Sequence, residues 1–217
     1  MYLKWNEKTT SDFSDASIES LYGDGFVFTR IGKGKMQQTR SLRIDLAEFA
    51  LSSENRRIQK KMNGLFLRAF PIPYSGYEWS IHKMGKDFYE KKFGEKTFGA
   101  QKIKQLITDG EKSNFNLLLE YELGGKTAGY CICLETKHIL HYCYPFYNLE
   151  NAGSNLGMGM MLEAILWAGE AGKKYIYLGS AQRPADKYKL QFAGLEWFDG
   201  SGWRRDTGEL KKILKEK

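Results

Sequence analysis

Residues 141 to 203 constrain the fold most, because they set out a strand, a glycine-rich turn, an amphipathic helix, a second strand and an aromatic tail in that order. His141 to Tyr144 ends the first strand, which runs through Pro145 into a loop. The chain then passes Ser154-Asn155-Leu156-Gly157-Met158-Gly159 into a helix on which Met158, Met161, Leu162, Ile165, Ala168 and Gly169 recur at helical spacing. Gly172 closes that helix, and Tyr175-Ile176-Tyr177-Leu178 reads as the next strand. Such a strand-helix-strand unit favours parallel pairing of its strands. Gly157 and Gly159 leave backbone N–H groups uncovered at the helix start, where the first amides lack intrahelical partners and the dipole favours an anion. The same pattern also opens ordinary helices whose methionines are core.

Upstream lies a meander. Asn114 to Leu123 meets Lys126 to Leu134 across Gly124-Gly125, a two-residue turn that favours a tight hairpin, and Lys137 to Tyr144 continues as a third strand. Antiparallel strands, then a glycine turn, a helix and a strand, resemble the GNAT acyltransferase fold: α/β, a mixed mainly antiparallel sheet flanked by helices. That resemblance implies a turn of the form Q/R-x-x-G-x-G/A gripping the pyrophosphate of acetyl-coenzyme A. Here Ser154 stands at its first position, so the match is to the glycines and not to the basic or amide residue.

A closer resemblance lies in YNLENAGSNLGMGMMLEAILWAGEAGKKYIYLG followed by DKYKLQFAGLEWF. These runs are similar to the C-terminal part of arginyl- and leucyl-tRNA-protein transferases, GNAT-like enzymes that take their acyl donor from aminoacyl-tRNA. The matching positions are Tyr147, Leu156, Gly157, Tyr177, Gly179, Tyr188, Lys189 and Phe192. Residues 40 to 62 resemble the family's basic segment through Phe49, Ser52, Arg56, Arg57, Lys60 and Lys61. The Cys-x-x-Cys-type cluster that precedes this segment in the family has no counterpart in LYGDGFVFTRIGKGKMQQTR.

Charge placement points to the same class of partner. The formal net charge is +7, yet residues 33 to 61, 82 to 104 and 204 to 217 hold 8, 7 and 6 Lys plus Arg against 3 acidic residues each. Basic patches on an otherwise acidic body suit a polyanion, whose counterions are released as Lys and Arg neutralise phosphates. Ser52 or Ser53 caps a helix over residues 53 to 62 whose basic residues form either a phosphate-facing or a merely solvated face. From Glu78 to Phe93, lysines interleave with Phe88, Tyr89 and Phe93, as on a helix that buries its rings or as a base-stacking surface. Cys131, Cys133 and Cys143 read as buried thiols in strands, and no metal is expected. No apolar run is long enough to span a bilayer and the N-terminus is too polar for a signal peptide, so a cytoplasmic protein without membrane association is expected. The first fifteen residues read as polar and mobile.

The expected organisation is an N-terminal basic strand-helix extension over 1–70 and a GNAT-like transferase domain over 71–217. Aminoacyl-tRNA is the expected donor substrate and a protein or peptide amine the acceptor, with no cofactor; acetyl-coenzyme A replaces the tRNA in a GNAT N-acetyltransferase, and a non-catalytic RNA-binding adaptor is the third reading. Donor binding falls to Ser154, Asn155, Leu156, Gly157, Met158, Gly159 and Ser180. Arg40, Arg43, Arg56, Arg57, Lys60 and Lys61 are the candidates for tRNA. Catalytic candidates are Tyr142, Tyr188, Lys189 and Gln191: the lysine for a phosphate or an acidic acceptor, Tyr188 or Gln191 for proton relay or oxyanion donation. The alternative for YKLQF is a packed segment with one exposed lysine.

Overall fold

The computed structural model describes residues 3–150 and 155–215. In chain order the elements are β1 (Asn6–Thr9), α1 (Asp15–Gly23), β2 (Phe26–Phe28), β3 (Lys35–Gln38), β4 (Ser41–Asp45), α2 (Ser53–Lys61), β5 (Leu65–Pro71), α3 (Trp79–Phe93), α4 (Ala100–Thr108), β6 (Leu117–Leu123) and β7 (Lys126–Glu135). There follow β8 (Ile139–Tyr147), α5 (Leu156–Glu170), β9 (Tyr175–Ser180), a 3-10 segment (Pro184–Gln191), β10 (Leu195–Phe198), β11 (Trp203–Arg204) and α6 (Thr207–Ile213).

Gly124 and Gly125 sit at φ 61° and 73°, the left-handed pair a two-residue hairpin requires, and Leu123 faces Lys126 directly across the turn. That turn fixes the β6-β7 register, and the meander extends through β8. The whole eight-stranded sheet runs β11-β10-β4-β9-β8-β7-β6-β5, antiparallel at every pairing except β8 with β9. The parallel pair follows from the α5 crossover. This is the mixed, mainly antiparallel GNAT-like sheet. A smaller three-stranded sheet, β1-β3-β2, stands beside it. β4 and all of β5 but Pro71 come from residues 1–70 and pair with β9 and β6, within the main sheet.

Two hydrophobic cores lie on opposite faces. One gathers α2, α5 and α6 over Leu42, Ile44, Leu119, Cys131 and Leu178; the other gathers α1, α3 and α4 with Phe28, Leu118, Ile132, Phe146 and Tyr177. Successive strand residues alternate between them, as the pleat demands.

Two expectations are corrected. β8 does not stop at Tyr144 but continues through Pro145 to Tyr147. The Pro145 carbonyl accepts from the Tyr89 hydroxyl at 3.1 Å rather than from β7, so its nitrogen also faces off the ladder and a missing N–H leaves no gap. The polar N-terminus is structured: β1 pairs with β3, and Ser14 caps α1, which buries Ile18, Leu21 and Tyr22.

Candidate functional site

β8 and β9 pair only from Ile139↔Tyr175 to His141↔Tyr177. Beyond that point β9 bulges, with Gly179 at φ 76° and its register to β4 shifting between Ser41 and Arg43, and the two strands part. A cleft of about 1090 Å³ opens at the fork. Its walls come from β2 and β3, α3, the far half of β8, the first turn of α5, the end of β9 and the 3-10 segment.

The first turn of α5 supplies one wall. Asn155 is its N-cap, with no side-chain cap bond, so the amides of Leu156, Gly157 and Met158 begin the helix without intrahelical acceptors. Gly157 and Met158 line the cleft, whereas Leu156 is buried in the core. A Cβ at Gly157 would stand 2.9 Å from the Tyr147 hydroxyl, so the absence of a side chain keeps that corner open. Gly159 differs from the expectation: its N–H donates to the Asn155 carbonyl at 2.8 Å, and the space its side chain would take is filled by Met62 and Leu65. It therefore lets α2 and β5 pack closely on α5 and presents no bare amide. Ser154 lies outside the described residues.

Opposite this turn, Pro184 starts the 3-10 segment and buried Asp186 fixes it by accepting from the Gln182 and Arg183 amides at 2.9 Å each. The fold thereby inserts Lys189 into the fork. Its Nζ donates to the Ser180 carbonyl at 3.1 Å, only 9% of the residue is exposed, and burial lowers its pKa against the opposing pull of Asp186. Ser180 also lines the cleft, and Tyr188 stands at its mouth, 45% exposed. Gln191 does not line it: its amide donates to the Tyr188 carbonyl at 2.7 Å and braces the segment. Tyr142 reaches the cleft, but its hydroxyl is sealed in the α5-side core beside Tyr121, where burial pushes both phenols far up. The catalytic candidate Tyr142 therefore presents no hydroxyl to the cleft.

His141, Arg30, Lys92 and Arg183 also line the cleft and were missed as site residues. Arg30 donates to the Thr97 carbonyl at 2.7 Å and lies 4.6 Å from the Phe98 ring; Arg183 lies 5.0 Å from the Phe93 ring. Arg30, Lys92, Arg183 and Lys189 place four cationic side chains around the cleft against one carboxylate among the described residues, Asp186. Nothing local in the sequence joins Arg30 on the loop after β2 to Lys92 on α3; only the fold does.

The six tRNA candidates divide. Arg56, Arg57, Lys60 and Lys61 are exposed on α2, Arg57 in an ion pair with Glu54 at 2.5 Å, and α2 packs against α5. Arg43 is in the core: its Nε donates to Glu196 at 2.8 Å, its Nη1 to the Tyr177 hydroxyl at 3.3 Å, and Tyr175 and Trp203 flank the guanidinium at 4.0 and 3.9 Å. Arg40 is buried too, with Nε and Nη1 sealed from solvent and without partners among the described residues. Arg43's place on β4, central in the sheet, and the burial of Arg40 just before that strand set both apart from the exposed basic face of α2. Among the described residues no group of three His, Cys, Asp or Glu side chains could hold a metal, and no helix is long and apolar enough to cross a membrane.

The forked parallel pair, the glycine-opened helix and the cationic cleft define an acyltransferase-type enzyme of GNAT-like fold. Residues 73–199 match the model of the arginine-tRNA-protein transferase C terminus, and the chain belongs to that family. It is 25% identical over 169 residues to an aspartate/glutamate leucyltransferase of Xanthomonas euvesicatoria pv. vesicatoria, covering 75% of this chain and 67% of the relative. With the aspartate/glutamate leucyltransferase of Stenotrophomonas maltophilia it shares 26% over 179 residues, 78% of this chain and 70% of the relative. Among solved structures, FemX superposes with a TM-score of 0.53 at 10% identity over 96% of this chain and 72% of that one. L-PGS from Bacillus licheniformis gives 0.50 at 11% identity over 92% and 69%. At such identities these structures share the fold alone.

Proposed function

We propose that this protein moves an amino acid from aminoacyl-tRNA to a primary amine at a protein or peptide N-terminus. The observation that carries the reading is the cleft itself, where four cations and, among the described residues, a single carboxylate share the lining with the first turn of α5, whose N-cap Asn155 makes no side-chain cap bond. A turn of bare amides accepts a phosphate or ribose, and neighbouring lysine and arginine raise the local concentration of an anionic donor. The exposed basic face of α2, packed on the same helix, extends that surface toward the body of a tRNA.

The chemistry asks little of the protein. The ester joining an amino acid to the terminal ribose is already activated, and an α-amino group has a pKa near ~8, so a useful fraction is neutral without a strong base. Orientation of the amine and preorganised donors for the oxyanion are then the large terms. Lys189, held at the fork by Ser180, sets a cation beside the reacting ester, and the Gly157 corner receives the donor's last nucleotide. The glycine turn would also suit the pyrophosphate of acetyl-coenzyme A, so the two donors are tested side by side. Titration with a pool of aminoacyl-tRNAs and with acetyl-coenzyme A, at two salt concentrations, should show salt-dependent binding of tRNA alone. Binding of acetyl-coenzyme A with no uptake of tRNA would replace this reading; tRNA binding without transfer to any peptide would make the protein an adaptor.

A further inference from the structure

At the point where β8 and β9 stop pairing stands His141, a residue with no part in the roles assigned above. Its Nδ1 lies 2.9 Å from the hydroxyl of Tyr22, on the buried face of α1. That hydroxyl already accepts from the Phe28 amide at 3.2 Å, and among the described residues its proton has one acceptor in reach, the imidazole Nδ1. The ring must therefore accept at Nδ1 and carry its own proton on Nε2. Nε2 is not among the sealed, unsatisfied polar atoms and bonds to no described residue, while the ring lines the cleft. Tyr22 and Tyr177 pack edge-on against the imidazole, with centroids 5.5 and 6.1 Å away, and the Tyr177 hydroxyl ties back to the Tyr22 carbonyl at 3.2 Å. The donor is thus held in one tautomer and one orientation.

We propose that His141 is a catalytic residue of the transfer reaction, its Nε2–H donating to the carbonyl oxygen of the acyl donor as that oxygen becomes an oxyanion. This rests on the acyl-transfer reading above. The amine lone pair forms the new C–N bond, and the carbonyl π pair moves to the oxygen facing His141. Collapse of the tetrahedral species restores the C=O and breaks the ester C–O bond, and the proton lost by the amine ends on the departing ribose hydroxyl. His141 keeps its own proton throughout. Burial, reinforced by the charge of Lys189, lowers the imidazole to about 3, so the ring stays neutral and its second nitrogen stays with Tyr22. The titratable groups around it are Tyr22 on α1, Tyr177 on β9, Cys143 on its own strand and Lys189 from the 3-10 segment; burial raises the first three, which therefore stay protonated near neutral pH, and lowers the lysine. A base role is excluded by the same geometry, because Nε2 has no lone pair to offer. Lys189 and His141 line the same cleft, so two donors meet at the fork.

Long-range ¹H–¹⁵N spectra of the full chain give the first readout: His141 should show a protonated Nε2 and a pyrrole-free Nδ1 with no titration between pH 5 and 9, and Tyr22→Phe should mix the tautomers. In steady-state transfer from aminoacyl-tRNA, His141→Leu should lower kcat about 10²-fold with KM unchanged, and His141→Gln, which keeps an N–H donor, should recover most of it. A protonated Nδ1 in the wild type, or an unaltered kcat in His141→Leu beside an active wild type, overturns the role of His141 and leaves the transfer reading standing. A wild type that transfers from no aminoacyl-tRNA overturns both.

Discussion

Removing the carboxylate of Glu196 should injure the fold far more than removing the arginine it serves. Arg43 and Glu196 are each 10% exposed at the side chain and meet at 2.8 Å between Tyr175 and Trp203. Glu196→Ala leaves a buried guanidinium whose remaining polar contact is the Tyr177 hydroxyl at 3.3 Å, and stranding such a charge costs about 3–5 kcal/mol. Arg43→Met fills the slot between the rings and leaves Glu196 with Arg205, whose Nε is 3.1 Å away and whose side chain is 63% exposed, so the expected loss is only about 1–2 kcal/mol. Replacing both, as Arg43→Met with Glu196→Leu, should recover much of the single Glu196 loss, since an apolar pair of similar volume is often neutral. Urea unfolding of these proteins, with Glu196→Leu alone added so that the cycle closes, gives the coupling, and against a typical total of about 5–15 kcal/mol the Glu196→Ala shift in midpoint is large. The same Arg43→Met protein bears on tRNA: a core arginine leaves the slope of log affinity against log salt unchanged, whereas a phosphate contact would reduce it by about 0.9. Additive single losses each below about 1 kcal/mol, or a slope reduced by that amount, would refute the structural role given to Arg43.

Other consequences are open to direct measurement. The folded His141 pKa of about 3 lies below its ordinary ~6.5, so the unfolded chain binds the extra proton between those values. The stability this gives is complete above about pH 6.5 and is lost as pH falls toward 3; His141→Gln, unfolded by urea at pH 7 and pH 4.5, should show a shallower decline than the wild type, and parallel declines would argue against the buried neutral ring. Gly157→Ala puts a methyl group 2.9 Å from the Tyr147 hydroxyl in the cleft wall, so donor affinity should drop about tenfold while the melting temperature moves by no more than a few degrees. Lys189→Met should raise the melting temperature, by relieving a desolvated ammonium, while transfer falls at least tenfold; equal activity would remove Lys189 from the site. Exchanging Arg56, Lys60 and Lys61 together for Gln should lower the salt slope of tRNA binding by about 2.7, measured by filter retention from 50 to 200 mM salt.

What could be read from the sequence was local. The Gly124-Gly125 hairpin, the Ser52 cap of α2, the α5 helix closed by Gly172 and the strand after it all depend on residues within a few positions, and each is where the pattern put it. The helix Trp79–Phe93 buries Ile81, Phe88 and Tyr89 and exposes Lys83 and Lys91, while its Phe88, Tyr89, Lys92 and Phe93 also line the cleft. The site was harder because it is assembled from distant pieces. Neighbouring strand residues face opposite cores, so the choice between Tyr142 and His141 turns on which face meets the fork, a matter of how β9 bends at Gly179 rather than of composition. Arg43 looks like Arg56 and Lys60 in a charge count, and only the insertion of β4 between β9 and β10 separates the buried arginine from the exposed residues. For α1 the signal was present in the Ser14 cap and the Ile18, Leu21, Tyr22 spacing, but it was outweighed by the polar residues around it.

The most direct test of the whole account is to mix the protein with tRNAs charged with radiolabelled amino acids and with peptides carrying different N-terminal residues, with acetyl-coenzyme A as the parallel donor. The account predicts that label passes from tRNA to a peptide α-amine and that acetyl-coenzyme A leaves the peptides unmodified. Label that stays on tRNA while peptides become acetylated would contradict it.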